Sequence, residues 1–154
     1  MRRRELLVFL AVVLMMYLYP LSIIPLLLLA REWGEFREEW MKSALLIGLS
    51  IPLYGAKILL GISGWVKTLG ITPITVSPVI WWLVYLTFTA LQTLAVYYVY
   101  RVSKNFGEYG KTGGLVMLIA VPLHLLSIEL YFILTWTGLI LFLLGLEKER
   151  EVMA

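Results

Sequence analysis

The sequence lacks two residue types altogether and has one copy each of three others. It contains no cysteine and no aspartate, and Gln92, Asn105 and His124 are each the sole residue of their kind. These absences exclude a disulfide framework, a cysteine-ligated metal or iron–sulfur site, a thiol nucleophile and any site that needs two histidines. We therefore expect neither a bound metal nor a cofactor.

Charge is also scarce. Charged residues make up 15% of the 154 residues and hydrophobic residues 61%. A soluble domain has roughly 25% charged residues and about 45–50% apolar residues. Two charged side chains, Lys57 and Glu129, lie within the four long apolar stretches, which cover residues 6–30, 43–62, 79–100 and 115–146. A helix of about 20 apolar residues crosses the ~30 Å hydrocarbon core of a bilayer. The sequence therefore predicts an all-α membrane bundle of four transmembrane helices, forming one domain over residues 1–154.

The four spans differ in how clearly they are bounded. The first, over 6–30, follows the basic start Arg2–Arg4 and is too long for a secretory signal, so it predicts a retained anchor that Pro20 and Pro25 bend. The third begins cleanly, with Ser77 before Pro78 as a helix start. The linker before it, over 61–78, suits an extended segment along the membrane surface.

The fourth apolar stretch is too long for one span and too short for two. Its 32 residues would reach about 48 Å as a helix. Either it forms one long tilted helix, or Pro122 divides a short interfacial piece over 115–121 from a true span over 123–146. We predict the second arrangement, with the break at Pro122.

The segment between the first two spans, residues 31–42, carries aromatic residues at helical spacing: Trp33, Phe36 and Trp40. The pattern predicts a short interfacial helix with these rings toward the acyl chains, or else the dipping start of the second span. An aromatic belt and a docking surface for a partner protein are both open interpretations. Glu38 and Lys42 are four residues apart, as in a helical ion pair.

Residues 107–114 are rich in glycine and include Gly110-Lys111-Thr112, the ending of a phosphate-binding loop. The glycine that such a loop needs five residues earlier is replaced by Asn105, and the chain has no aspartate for magnesium. Nucleotide binding is therefore not indicated, and the segment is interpreted as a juxtamembrane turn. Residues 31–42 form no net basic patch, so nucleic-acid binding is not indicated either.

The ionisable residues in apolar surroundings are Lys57, His124 and Glu129. Such residues are functional-site candidates by default. A Lys57–Glu129 pair across two helices could hold the bundle together, carry protons or contact a ligand. Alternatively, the two side chains reach the membrane surfaces separately.

The sequence lacks the sets of catalytic residues found in known intramembrane proteases, prenyltransferases and thiol oxidoreductases. This absence argues against an enzyme. The leading hypothesis is an accessory or scaffolding subunit of a membrane complex, with the bilayer and a membrane protein or a second copy as partners. The alternative is an oligomeric carrier or proton-conducting component that uses Glu129, Lys57 and His124. The scarcity of Asn, Gln, Cys and Asp also resembles a thermophile's composition.

The orientation is weakly indicated by charge. Four spans would place six basic residues on each side of the membrane, which leaves the positive-inside rule undecided. The arginine run Arg2–Arg4 decides for cytoplasmic termini in a multi-pass protein of the plasma membrane.

Overall fold

The chain folds as a bundle of helices. The computed structural model describes residues 2–68 and 77–153, and the side chains of 2–60 and 77–151. Within these ranges there are six α-helices and no strand: α1 Arg3–Tyr17, α2 Ile23–Glu32, α3 Arg37–Thr68, α4 Pro78–Ser103, α5 Gly107–Leu123 and α6 Ile128–Met153. The predicted extended linker over 61–78 lies largely outside the described residues.

Three helical segments of the described residues are long and apolar enough to cross a membrane. They are Gly34–Leu60, Pro78–Ser103 and Ile128–Glu151. The all-helical prediction is confirmed, and these segments overlap the predicted second, third and fourth spans. A fourth span is not confirmed.

The predicted first span is instead a helical hairpin. α1 ends at Tyr17, a 3₁₀ turn follows over Tyr19–Ser22, and α2 returns in the opposite direction. The hairpin is closed at its base, where Arg3 Nε lies 2.7 Å from Glu32 Oε1. The prediction of one bent helix over 6–30 was therefore wrong, because the chain reverses direction at Pro20.

The turn of this hairpin satisfies its own polar groups. Tyr19 and Ser22 are buried, the Ser22 hydroxyl donates to the Tyr19 carbonyl at 2.6 Å, and the Tyr19 hydroxyl lies 2.6 Å from the Ser50 hydroxyl of α3. Pro20 brings no N–H that needs a partner. α1, with 15 residues, is about 22 Å long, shorter than the ~30 Å hydrocarbon core of a bilayer, in which irregular backbone is tolerated when protein covers it.

The connection from α2 to α3 is a single 3₁₀ turn, Gly34–Phe36. No separate interfacial helix forms there, since α3 already begins at Arg37. Residues 37–42 are instead the first residues of α3, continuous with the predicted second span. The predicted ion pair between Lys42 Nζ and Glu38 Oε1 forms at 2.5 Å.

The predicted fourth segment is broken, although not as expected. α5 includes Pro122 and ends at Leu123, and a turn over 124–127 precedes α6. α5 begins at Gly107, so the glycine-rich segment is helical rather than the juxtamembrane turn predicted from it. α5 is also longer than the predicted interfacial piece over 115–121, and it packs along α6 as a second hairpin.

Glycines bring α5 and α6 into close contact. A Cβ on Gly138 would lie 2.5 Å from the Gly113 carbonyl oxygen, and a Cβ on Gly145 would lie 2.7 Å from the Gly110 backbone nitrogen. Small residues at such contacts are typical of membrane helices, whose association depends on close packing rather than on the hydrophobic effect. Glycine is thus required here for space, not for a turn.

Polar and apolar residues are distributed as in a membrane bundle. Large apolar side chains cover the outside, among them Leu45, Leu59 and Ile133 at 62–65% exposure. Seven hydroxyl or amide side chains are buried inside: Ser22, Ser43, Ser50, Thr89, Gln92, Ser103 and Thr135. Because so much apolar surface is unfavourable in water, this arrangement is compatible with a membrane location.

Adding one methyl group at the α5–α6 contact should destabilise the bundle. We expect Gly138→Ala to lower the free energy of unfolding by about 1–3 kcal/mol, the cost of overpacking, because the new Cβ would collide with Gly113 and Met117. Thermal unfolding in detergent measures the change. Gly55→Ala is the matched control, since nothing lies within 4 Å of its added Cβ, and an equal loss in both variants would contradict the close contact.

Candidate functional site

Two turns of the fold and the ends of two helices meet at one end of the bundle, which we call the charged end. Arg101 of α4 lies 3.9 Å from Glu39 of α3, and Arg150 of α6 lies 3.3 Å from Glu5 of α1. The start of α1, the α2–α3 turn, the α4–α5 turn and the end of α6 are therefore neighbours. The start of α4 and the turn over 124–127 lie away from the charged end, and the hairpin turn at Tyr19 lies partway along the bundle, beside Ser50 in the middle of α3.

The predicted aromatic candidates belong to the charged end, but two of them face inward. Trp33 and Trp40 are 4% and 1% exposed, and the Trp33 ring packs against Phe36 and Phe106 at centroid distances of 5.4 and 5.3 Å. The prediction that these rings face the acyl chains is therefore wrong for Trp33 and Trp40. Phe36 keeps partial exposure.

A groove of about 710 Å³ opens at the charged end. Rings of Trp33, Phe36 and Phe106 line it, together with Asn105 and several charged side chains of both signs. Two ion pairs, Arg3–Glu32 and Arg150–Glu5, lie in its wall. The groove thus combines an aromatic surface with a charged rim.

The groove's walls are stabilised by more than ion pairs, which contribute about 0–1 kcal/mol each when exposed. The Arg4 guanidinium lies 5.1 Å from the centre of the Trp33 ring, and its Nη2 donates to the Glu32 carbonyl at 3.4 Å. A cation over an indole adds roughly 0.5–1 kcal/mol at an exposed site. The basic N-terminus is consequently held against the α2–α3 turn.

The second candidate site is a polar cluster toward the opposite end. We define the polar cluster as Tyr19, Ser50, Lys57, Gln92, His124 and Tyr131. The Gln92 amide donates to the Tyr131 hydroxyl at 3.0 Å, and the Tyr131 ring centre lies 5.0 Å from that of His124.

Lys57 joins the polar cluster through aromatic rings. Its ammonium lies 4.8 Å from the Phe88 ring centre and 5.5 Å from that of Tyr85. Phe88 in turn contacts the Tyr19 ring at 5.0 Å. Sequence reasoning found Lys57 and His124 but missed Tyr19, Gln92 and Tyr131, since nothing in an apolar run marks which polar side chain faces the interior.

The third ionisable candidate, Glu129, lies apart from Lys57. It occupies the first turn of α6, where a carboxylate complements the helix dipole, and the Ser127 hydroxyl donates to its Oε2 at 3.0 Å. Ser127 caps the helix by accepting from the Leu130 backbone N–H. The Lys57–Glu129 ion pair considered from the sequence is absent from the described side chains.

A small cavity lies among the described residues between the two ends. A cavity of about 10 Å³ lies among Met15, Met117, Tyr131 and Thr135, about the space of one water molecule. The Thr135 hydroxyl and the Trp40 indole N–H are buried without a partner in the structure. Within residues 2–68 and 77–153, no three acidic or histidine side chains are grouped so that they could hold a metal.

Comparison with known proteins returned no match to a family model, to a curated protein or to a solved structure. The groove and the polar cluster are therefore the features of the molecule that bear on its function.

The Gln92–Tyr131 hydrogen bond should couple α4 to α6 energetically. Gln92→Leu or Tyr131→Phe each leaves a buried polar partner unsatisfied, whereas the double variant removes both. We expect the double variant to be more stable than additivity predicts by about 1 kcal/mol, within the range of bonds between membrane helices. Thermal unfolding in detergent measures this coupling.

A control for this cycle is Thr137→Val, since the Thr137 hydroxyl bonds to the Ile133 carbonyl of its own helix. Combined with Gln92→Leu it should be additive. Additivity of Gln92→Leu with Tyr131→Phe would show that the interhelical bond does not contribute.

Proposed function

We propose that this chain is an integral membrane protein that serves as an accessory subunit, scaffolding a membrane complex through the groove at its charged end. The observation that carries the proposal is the contrast between the two parts of the molecule. The buried polar side chains of the described residues bond mostly to backbone carbonyls or to one another, while the groove is open and combines aromatic rings with charges of both signs. Aromatic and arginine residues are enriched where proteins bind proteins.

The alternative, a carrier or proton-conducting component, has weaker support. Lys57 and His124 do belong to one polar cluster, but Glu129 bonds to Ser127 at the edge of the bundle. The 10 Å³ cavity is too small to connect the polar cluster with the charged end. A conducting path would need a rearrangement of packed helices or a second subunit.

The arrangement of basic residues supports an orientation. Because α1 and α2 form a hairpin, the segments that four spans would have placed on opposite sides meet at the charged end. Eleven of the 13 basic residues belong to this end by position, and the other two are Lys57 and Lys67 in the second half of α3. By the positive-inside rule we propose that the charged end and both termini are cytoplasmic, in the plasma membrane.

Cysteine labelling tests this orientation directly, since the natural chain has no cysteine. Asn105→Cys places a thiol at the charged end and Leu126→Cys, at a residue 81% exposed, places one at the opposite end. We expect a membrane-impermeant maleimide to label Leu126→Cys in intact cells and Asn105→Cys after lysis. The reverse pattern would place the charged end outside.

The accessory role is tested by purification from native membranes in a mild detergent, followed by native mass spectrometry. We expect a complex of defined stoichiometry with a larger membrane protein. The paired reversal Glu35→Arg and Glu149→Arg, at the groove rim, should release the partner. A chain that remains alone, or only self-associates, would contradict the accessory role.

Glu108→Arg is the matched control, because Glu108 is exposed and belongs to the charged end by position but does not line the groove. It should leave the complex intact. Equal loss of the partner in both variants would show that overall charge, not the groove, holds the complex.

A further inference from the structure

Lys57 has no acidic partner among the described side chains. The sequence has no acidic residue between Glu39 and Glu108, and Glu129 is the sole acid between Glu108 and Glu147. Glu129 is exposed and bonds to Ser127, and the ion pairs found among the described side chains do not include Lys57. A half-buried ammonium in apolar surroundings requires an opposite charge or a strong polar partner.

The surroundings of Lys57 supply hydrogen-bond donors but no anion. Tyr85 is half-buried beside the ammonium, and a tyrosine hydroxyl can donate. His124 is half-buried in the turn over 124–127, and its ring centre lies 5.0 Å from that of Tyr131, which bonds to Gln92 one helical turn from Phe88. A neutral imidazole contributes one N–H.

The deeper residues of the polar cluster are already bonded. The Tyr131 hydroxyl accepts from Gln92, and the Tyr19 hydroxyl pairs with Ser50. Their hydroxyls are therefore paired, whereas the contacts given for the Lys57 ammonium among the described side chains are with the ring faces of Tyr85 and Phe88. One full positive charge with neighbouring neutral donors suits an oxyanion.

We propose that Lys57, with Tyr85 and His124, forms an oxyanion-binding site at the end of the bundle opposite the charged end. The chemistry recognised is a phosphate group. It can belong to a phospholipid headgroup of the adjoining leaflet or to a soluble phosphate that enters from that side. Lys57 supplies the charge, and the other two side chains orient the oxygens.

The rings beneath the ammonium are part of the same site. Phe88, 2% exposed, and Tyr85 stabilise the cation through their faces, so that Lys57 retains its place when no anion is bound. Because a cation–π contact leaves the ammonium's outer hydrogens available, it does not compete with the proposed ligand.

The site is tested on the full chain in a neutral detergent by thermal unfolding with three probes: inorganic phosphate, phosphatidylglycerol and a phosphate-free glycolipid. We expect phosphate or phosphatidylglycerol to stabilise the protein and the glycolipid not to. In Lys57→Met the half-saturating concentration should rise about fivefold, the loss typical of one basic residue near a charged surface. Lys57→Arg should bind nearly as the natural chain does.

Lys104→Met is the matched control, since Lys104 is exposed at the other end, and it should respond within about twofold of the natural chain. Stabilisation by the lipid alone identifies a headgroup, and stabilisation by inorganic phosphate alone identifies a soluble ligand. Equal responses of the natural chain and Lys57→Met, or an equal loss in Lys104→Met, would overturn the proposal.

A second measurement uses the natural protein and so does not require any substituted chain to fold. Acetylation of the natural protein, followed by peptide mass spectrometry, measures the reactivity of each lysine. The stabilising probe should slow modification of Lys57 and not that of Lys104. Unchanged reactivity of Lys57 would overturn the proposal even if the substituted chains failed to fold.

Discussion

The buried hydrogen bond between Tyr19 and Ser50 is the interaction on which the arrangement of the chain depends. It joins the turn of the first hairpin to α3, so that protein covers the reversal of the backbone. In a bilayer, an uncovered irregular backbone would cost several kcal/mol for each unsatisfied group. Because the chain reverses at this point, α2 ends beside the start of α1, and α3 begins at the charged end.

Some elements could be predicted from the sequence because local chemistry determines them. Ser77 and Pro78 begin α4 as expected, with the Ser77 hydroxyl accepting from the Ile80 backbone N–H. The end of α5 next to Pro122 and the ion pair between Glu38 and Lys42 are also determined by residues close to each other in the sequence. In each case the residues within one helical turn contain the information.

Other features depend on contacts distant in sequence. An apolar run over 6–30 has the same composition whether it crosses once or turns back, and the partners that decide, Ser50 and Glu32, lie outside or at the edge of that run. The spacing of Trp33 and Trp40 indicates a helix face, but it does not show whether that face meets lipid or protein, since both are apolar. Glycine in 107–114 suggests a turn by the rules of soluble proteins, although between membrane helices it permits close packing.

The concentration of charge at one end has a consequence for how the protein enters the membrane. The six α-helices of the described residues pair in chain order as α1 with α2, α3 with α4 and α5 with α6, and the first helix of each pair begins at the charged end, where the second one ends. The first hairpin carries no ionisable group at its tip besides tyrosine, and the other two together would carry Lys57, Lys67 and Glu129 inward. For a bundle inserted hairpin by hairpin from the side of the charged end, these three residues are the charges to transfer, at about 2.5–3.5 kcal/mol for each one taken to the bilayer centre.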